Sequence, residues 1–256
     1  MRFCTAIALV SLCAAPLTAQ SKLSDWPQHS EDRPRPRVVE PGAVYTIAPP
    51  ADATVLFGGT SLDKWASANG ASAKWRVVDG AFEAVPGTGQ LSTRDGFGDV
   101  QLHIEWASPK PAVGTGQDRG NSGVFMADGR YEVQVLDSRN NVTYADGQAG
   151  ALYGQFPPLV NATRAPGEWQ AYDIVYAAPR FNEHGTLVKP GYITVLHNGV
   201  LVQNHTELLG DTVFEHPPSY HAHGAAPIRL QFHGNPIRFR NIWLRELQEQ
   251  QPQRPE

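Results

Sequence analysis

Val100-Gln101-Leu102-His103-Ile104-Glu105-Trp106 alternates apolar and polar residues along its whole length. Successive side chains of an extended chain point to opposite sides. The spacing therefore predicts a strand with Val100, Leu102, Ile104 and Trp106 in a core and Gln101, His103 and Glu105 facing out. The same period recurs on either side, interrupted by residue pairs that tolerate left-handed backbone. Residues 75–78, Asp79-Gly80 and residues 81–85 read as a hairpin with a tight turn. Residues 122–127, Asp128-Gly129 and residues 130–136 read as a second. Residues 192–197, Asn198-Gly199 and residues 200–204 read as a third. A fourth is expected where residues 228–232 turn through His233-Gly234-Asn235-Pro236 into residues 237–246, and residues 169–176 add another strand. Helical periodicity is scarce. Many short strands between frequent turns predict an all-β chain folded as a sandwich of two antiparallel sheets. The lack of an internal repeat disfavours a propeller.

Composition agrees with that pattern. The 256 residues include 24 Gly and 21 Pro, a share above the ordinary one that suits many tight turns. A formal net charge of -4 advertises no basic face for nucleic acid or an anionic membrane. Arg2 precedes an apolar run over residues 6–17, and Leu17-Thr18-Ala19 offers a small-residue cleavage site, the pattern of an export signal over residues 1–19. The run falls short of the roughly 20 residues a membrane span needs. A periplasmic or extracellular product is expected, without a disulfide, because Cys4 and Cys13 both lie in the signal. Residues 20–50, with Arg33-Pro34-Arg35-Pro36-Arg37, read as an extended arm or linker close to disorder. The sandwich is expected over residues 51–247, and residues 248–256 as a frayed tail.

Function is sought where strand positions that face away from the core carry reactive side chains. In Arg130-Tyr131-Glu132-Val133-Gln134-Val135-Leu136-Asp137-Ser138, Tyr131, Val133 and Val135 share the core face. Glu132 and Gln134 share the other, about 7 Å apart. A carboxyl beside an amide suits acid/base work or sugar binding; a solvated outer face is the bland alternative. Glu132 with Asp137 suggests a two-carboxylate glycosidase, yet an odd offset puts them on opposite faces and roughly 16 Å of backbone apart. A retaining or inverting pair needs about 5 to 9.5 Å. Gln231 and His233 share a face at a strand end, where an imidazole has space to act near neutral pH. Arg240 with Asn241 could bind hydroxyls or pair with acids. His221 and His223, with Glu215 and His216 nearby, offer a three-ligand metal site as a minor reading, but the proline-rich stretch leaves its geometry unreadable, and the main expectation is no cofactor.

Six segments in order resemble a known family. They are Leu56-Phe57-Gly58-Gly59-Thr60-Ser61-Leu62-Asp63-Lys64-Trp65, Asn121-Ser122-Gly123-Val124-Phe125, Tyr131-Glu132-Val133-Gln134-Val135-Leu136-Asp137, Gly167-Glu168-Trp169, Asn198-Gly199 and Phe239-Arg240-Asn241-Ile242. Together they look like the 3-keto-disaccharide hydrolase family, over residues 55–247. The resemblance implies a concanavalin-like jelly-roll sandwich, export in bacteria and cleavage of 3-keto glycosides. A remoter similarity links the chain to laminarinase-type glycoside hydrolases, but Gln134 stands where such an enzyme has its middle acid. A 3-keto group makes two close carboxylates unnecessary: it acidifies the C2 proton, so one base can start an elimination that water then reverses.

The resulting expectation is an exported glycosidic-bond hydrolase acting on 3-keto disaccharides or glycosides. Glu132, His233 and Asp137 are the candidate catalytic residues, and Asn121, Gln134, Tyr153, Gln231 and Arg240 the candidate sugar contacts. Its partner would be a carbohydrate, not nucleic acid or a membrane. The main alternative is a carbohydrate-binding module without catalysis, which would tolerate a groove of amides and aromatics alone. A structural domain docked through the Pro-Arg arm is a third.

Overall fold

The computed structural model describes residues 25–43 and 46–248. The export segment lies outside the described residues, as does the tail beyond residue 248. Two antiparallel sheets pack face to face. One runs, edge to edge, through Val200–Glu207, Tyr192–His197, Gln170–Ala177, Val100–Ala107, Arg238–Glu246, Ala81–Glu83 and Arg76–Val78, with Thr54–Phe57 also paired to Arg238–Glu246. The other runs through Trp65–Ser67, Leu91–Thr93, Arg229–Leu230, Ser122–Met126 and Tyr131–Val135. The first is the back sheet here and the second the cleft sheet. Among the described residues the only helical turns are the short 3-10 segments Gly116–Asp118 and Ala145–Gly147. No helix among them is long and apolar enough to cross a membrane.

The core lies between the sheets, where Leu102, Ile104, Trp106, Tyr172, Ile174 and Phe239 of the back sheet meet Leu91, Val124, Tyr131, Val133, Val135 and Leu230 of the cleft sheet. Tyr172 ties the layers directly, its hydroxyl donating across the core to the Gln134 carbonyl at 2.7 Å. Apolar burial at this scale is the main favourable contribution to folding. The Asp79-Gly80 and Asn198-Gly199 turns take positive φ at both positions, as two-residue hairpin turns with the right twist require. The second turn is longer than expected: Ala127, Asp128 and Gly129 all have positive φ, and Arg130 N donates back to the Met126 carbonyl.

Three expectations need correcting. Residues 228–246 do not form a hairpin: Arg229–Leu230 pairs in the cleft sheet with Leu91–Thr93 and Ser122–Met126, whereas Arg238–Glu246 belongs to the back sheet. The segment between them crosses from one layer to the other, and Leu230 and Phe239 enter the shared core from opposite sheets. His103 and Glu105 do not face solvent either, and are 0% and 1% exposed. His103 Nδ1 bonds Asp173 at 2.7 Å, and Glu105 accepts from Arg240 Nε at 2.6 Å and Asn241 Nδ2 at 2.9 Å. The Trp243 ring stacks on His103 with centroids 5.2 Å apart.

The third correction concerns what covers this polar cluster. The proline-rich arm is seated on the sandwich: the Ile47 carbonyl accepts from both Asn241 Nδ2 and Trp243 Nε1. Earlier in the arm, Arg164 Nη2 donates to the Gly42 and Ala43 carbonyls, Arg139 pairs with Glu40, and Val39 and Arg37 exchange backbone bonds with Asn161. Proline removes donors from the arm, but its carbonyls remain, and arginine and amide side chains of the domain reach them.

Candidate functional site

The cleft sheet turns its outer face to a cleft of about 820 Å³. Side-chain parity decides what it contains. Tyr131, Val133 and Val135 point into the core, which sends Glu132 and Gln134 to the cleft. The next strand contributes Phe125, paired opposite Glu132, and Asn121 stands just before that strand. Gln231 and His233 enter from the crossing segment after Arg229–Leu230, and Tyr153 from the loop after the Glu132 strand.

The structure thus brings Glu132, His233, Asn121, Gln134, Tyr153 and Gln231 to one cleft. Asp137 does not line it. That carboxylate is 1% exposed and takes Arg119 Nε at 2.7 Å and the Arg139 backbone N–H at 3.2 Å, a strand-end anchor. Arg240 does not line it either. It lies on the back sheet, bonded to Glu105 and with its guanidinium carbon 4.1 Å from the centre of the Trp169 ring. Nor do the candidate metal ligands converge: His221 pairs with Asp211, His223 shares a hydrogen bond with the Tyr131 hydroxyl, and no cluster of three ligating side chains occurs among the described residues.

Glu132 is the chemically unusual group. It is 6% exposed, and burial pushes its carboxyl up to about 8. Its backbone is fixed by an N–H donated to Thr212 Oγ1 at 3.1 Å and a carbonyl accepting from Tyr153 N at 3.3 Å. The Gln134 amide beside it stands within hydrogen-bonding distance of the carboxyl, Nε2 donating to Glu132 Oε1 at 3.0 Å and to the Ser122 carbonyl at 3.1 Å. Gly123 makes room for the acid: a Cβ there would stand 3.1 Å from Glu132 Cδ and 2.7 Å from Phe125 Cε2.

The walls combine neutral phenols with aromatic surface. Tyr144 and Tyr153 share a hydrogen bond of 2.7 Å between their hydroxyls, and burial pushes both phenols up, so both stay protonated. Phe214 is 60% exposed at the rim. Asn121 is held by its Nδ2 donating to the Gln117 carbonyl at 2.7 Å, and Gln117 by Nε2 bonds to Thr143 and Gly147. Such braced amides give the cleft a fixed polar floor whose oxygens can accept from sugar hydroxyls.

Sequence reasoning missed His29, Glu31, Gln117, Phe125, Tyr144, Thr212 and Phe214 and named Glu215 only as a possible metal ligand, yet all of them line the cleft. Phe125 was accessible through the parity of its strand. An isolated Phe214 in a proline-flanked loop was a weaker signal. His29 and Glu31 carried none, since their composition reads as linker.

A family profile described as the 3-keto-alpha-glucoside-1,2-lyase-like domain matches residues 52–245. No match is found among curated proteins. Among solved structures, a Parabacteroides distasonis protein described as a "putative glycosyl hydrolase" is 49% identical, covering 84% of this chain and 93% of that one, with a TM-score of 0.77. Two others from the same organism, with the same description, share the fold at 20% and 24% identity. Their TM-scores are 0.57 and 0.55, covering 77% and 76% of this chain and 94% and 99% of theirs. The profile spans most of the sandwich and every cleft residue outside the arm, and on that match the chain belongs to the 3-keto-alpha-glucoside-1,2-lyase-like domain family.

Proposed function

We propose that the chain cleaves the glycosidic bond of 3-keto glycosides, disaccharides among them, by elimination followed by hydration. The observation that carries this reading is Glu132, a cleft carboxyl pushed up to about 8 by burial, with an amide and not a second acid at the next cleft-facing position of its strand. That is a poor start for a two-carboxylate displacement. It suits removal of a carbon-bound proton, because a carboxylate that is costly to ionise is a stronger base when ionised.

The C3 carbonyl of the bound sugar acidifies the hydrogen at C2. Ionised Glu132 takes that proton, and the electron pair of the C2–H bond moves into an enolate whose negative charge sits on the C3 oxygen. The Gln231 amide and the phenol hydrogen not spent on the Tyr144–Tyr153 bond are donors that can stabilise it. Collapse of the enolate expels the C1 substituent, which leaves as an alcohol after protonation by an acid at the cleft mouth, where His233 stands exposed. Water then adds at C1 of the enone, losing one proton to the group at the cleft mouth that had protonated the leaving alcohol, and C2 regains a proton from Glu132. Export through the segment at residues 1–19 would place the reaction outside the cytoplasm, and it belongs to the same proposal.

A carbohydrate-binding module would use the same amides and aromatic rim. It gives no reason for a buried acid, and with both Glu132 and His233 lining the cleft the enzyme is the better reading. The test is incubation of the purified protein with oxidised and unoxidised forms of one disaccharide, with and without chelator. Cleavage of the oxidised sugar alone is expected. Binding of either without cleavage would leave the module.

A further inference from the structure

We infer that His29, carried by the N-terminal arm, is a sugar-contacting residue of the cleft, so that the arm is part of the binding site. This rests on the carbohydrate reading of the cleft and extends it to a segment outside the matched domain, which begins at residue 52.

Three independent observations converge on the residue. The first is position. The His29 ring lines the cleft together with Glu132 and His233, and sits among aromatic walls, with centroids 4.5 Å from Tyr144, 5.0 Å from Tyr153 and 5.1 Å from Phe214.

The second is its unsatisfied chemistry. Both ring nitrogens are shut off from solvent and have no hydrogen-bond partner among the described residues. A structural histidine in such a place ordinarily bonds at least one of them, because a buried polar atom without a partner is destabilising. Burial outweighs the pull of Asp146 and Glu215 and lowers its pKa, so the ring is a neutral imidazole with one N–H and one lone pair. A sugar hydroxyl both donates and accepts, so it can satisfy either nitrogen once binding turns the imidazole about its side-chain bonds toward the cleft.

The third is backbone strain. His29 has φ +59°, in the left-handed region, within a turn closed by Ser30 N donating to the Pro27 carbonyl. Glycine or asparagine is the easy residue there. A ring held in that conformation is fixed from outside, and the fixing groups are visible. His29 N donates to Asp146 Oδ2 at 3.1 Å, and the preceding Gln28 Nε2 donates to the Val213 carbonyl at 3.0 Å. Strain of this kind persists where surrounding contacts over-determine it, commonly at ligand sites.

His29→Phe separates packing from hydrogen bonding, because it keeps a ring against Tyr144, Tyr153 and Phe214 and removes both nitrogens. His29→Ala removes the ring as well. Each is combined with Glu132→Gln so that sugar is not consumed, and 3-keto-trehalose is titrated by calorimetry into the two double variants and the Glu132→Gln parent. Affinity about tenfold weaker or more in both double variants is expected. Equal affinity in His29→Phe and the parent, whether measurable or absent, overturns the inference. So does tighter binding by His29→Ala, which would make the ring a plug and not a contact. Weaker binding by His29→Phe beside a wild type that binds 3-keto-trehalose without cleaving it would overturn the proposed function and leave the role of His29 standing.

Discussion

At the scale of single residues, the account turns on a carboxyl whose burial makes it useful and costly at once. Folded Glu132 keeps its proton to about 8, whereas the unfolded chain releases it near the ordinary 4.5. Between those values the folded state binds more protons, so stability falls as pH rises through the window. Glu132→Gln removes that penalty while keeping size and hydrogen bonding. It should melt higher than wild type, with a gap that opens above about pH 5 and widens towards about pH 8, and it should have no turnover. Melting curves across that range beside an activity assay check both halves. A variant that melts lower at high pH would mean the acid is ionised and well paired. Gly123→Ala makes a complementary case, since its added methyl meets the Glu132 carboxyl and the Phe125 ring. A stability cost of about 1 to 3 kcal/mol is expected, with a larger proportional loss of kcat/KM than of melting temperature, because the displaced group is the acid itself. The identity of Glu132 and Gln134 as cleft residues was legible from parity alone, since one face of their strand is apolar. The displacement of Asp137 from the cleft was foreshadowed by its odd offset. Its anchoring by Arg119 was not, because no local pattern announces a partner 18 positions away.

Elements show where local reading succeeds and where long-range contacts overrule it. Hairpins closed by Asp79-Gly80 and Asn198-Gly199 were readable because turn geometry is set by the two residues that make it. The crossing between Arg229–Leu230 and Arg238–Glu246 was not, as strand pairing depends on which sheet offers a partner. Strand Val100–Ala107 was placed correctly, but its polar face was misjudged because its cover comes from the distant arm and from Arg238–Glu246. That cover has a measurable consequence. Burial alone would lower His103, but the carboxylates of Asp173 and Glu105 outweigh it and raise the pKa above 6.5. Protonated His103 then contributes stability that is complete below about pH 6.5 and is lost as pH rises through the raised value. His103→Gln should accordingly be less stable than wild type near pH 6, with the difference shrinking as pH rises. A constant difference across that range, in urea melts, would show that the ring stays neutral throughout.

For the molecule as a whole, two sheets clamp a common core and leave the outer face of one sheet for chemistry, while the arm runs from the cleft wall at His29 to the covered face of the other at Ile47. The sandwich was legible because alternation and turn residues repeat along the chain; the arm's seat was not, because carbonyl acceptors leave no mark in a sequence. The central claim is that cleavage passes through loss of the C2 proton, and solvent isotope reports on that step most directly. The wild type is incubated with a 3-keto disaccharide in deuterated water, and the keto sugar released is examined by proton NMR before uncatalysed exchange sets in. Deuterium at C2 of the product is expected, with neither product nor exchange in Glu132→Gln. Product that retains the original hydrogen at C2, together with equal turnover of substrate carrying hydrogen or deuterium at C2, would contradict the account, because no C2–H bond would then break on the way to cleavage.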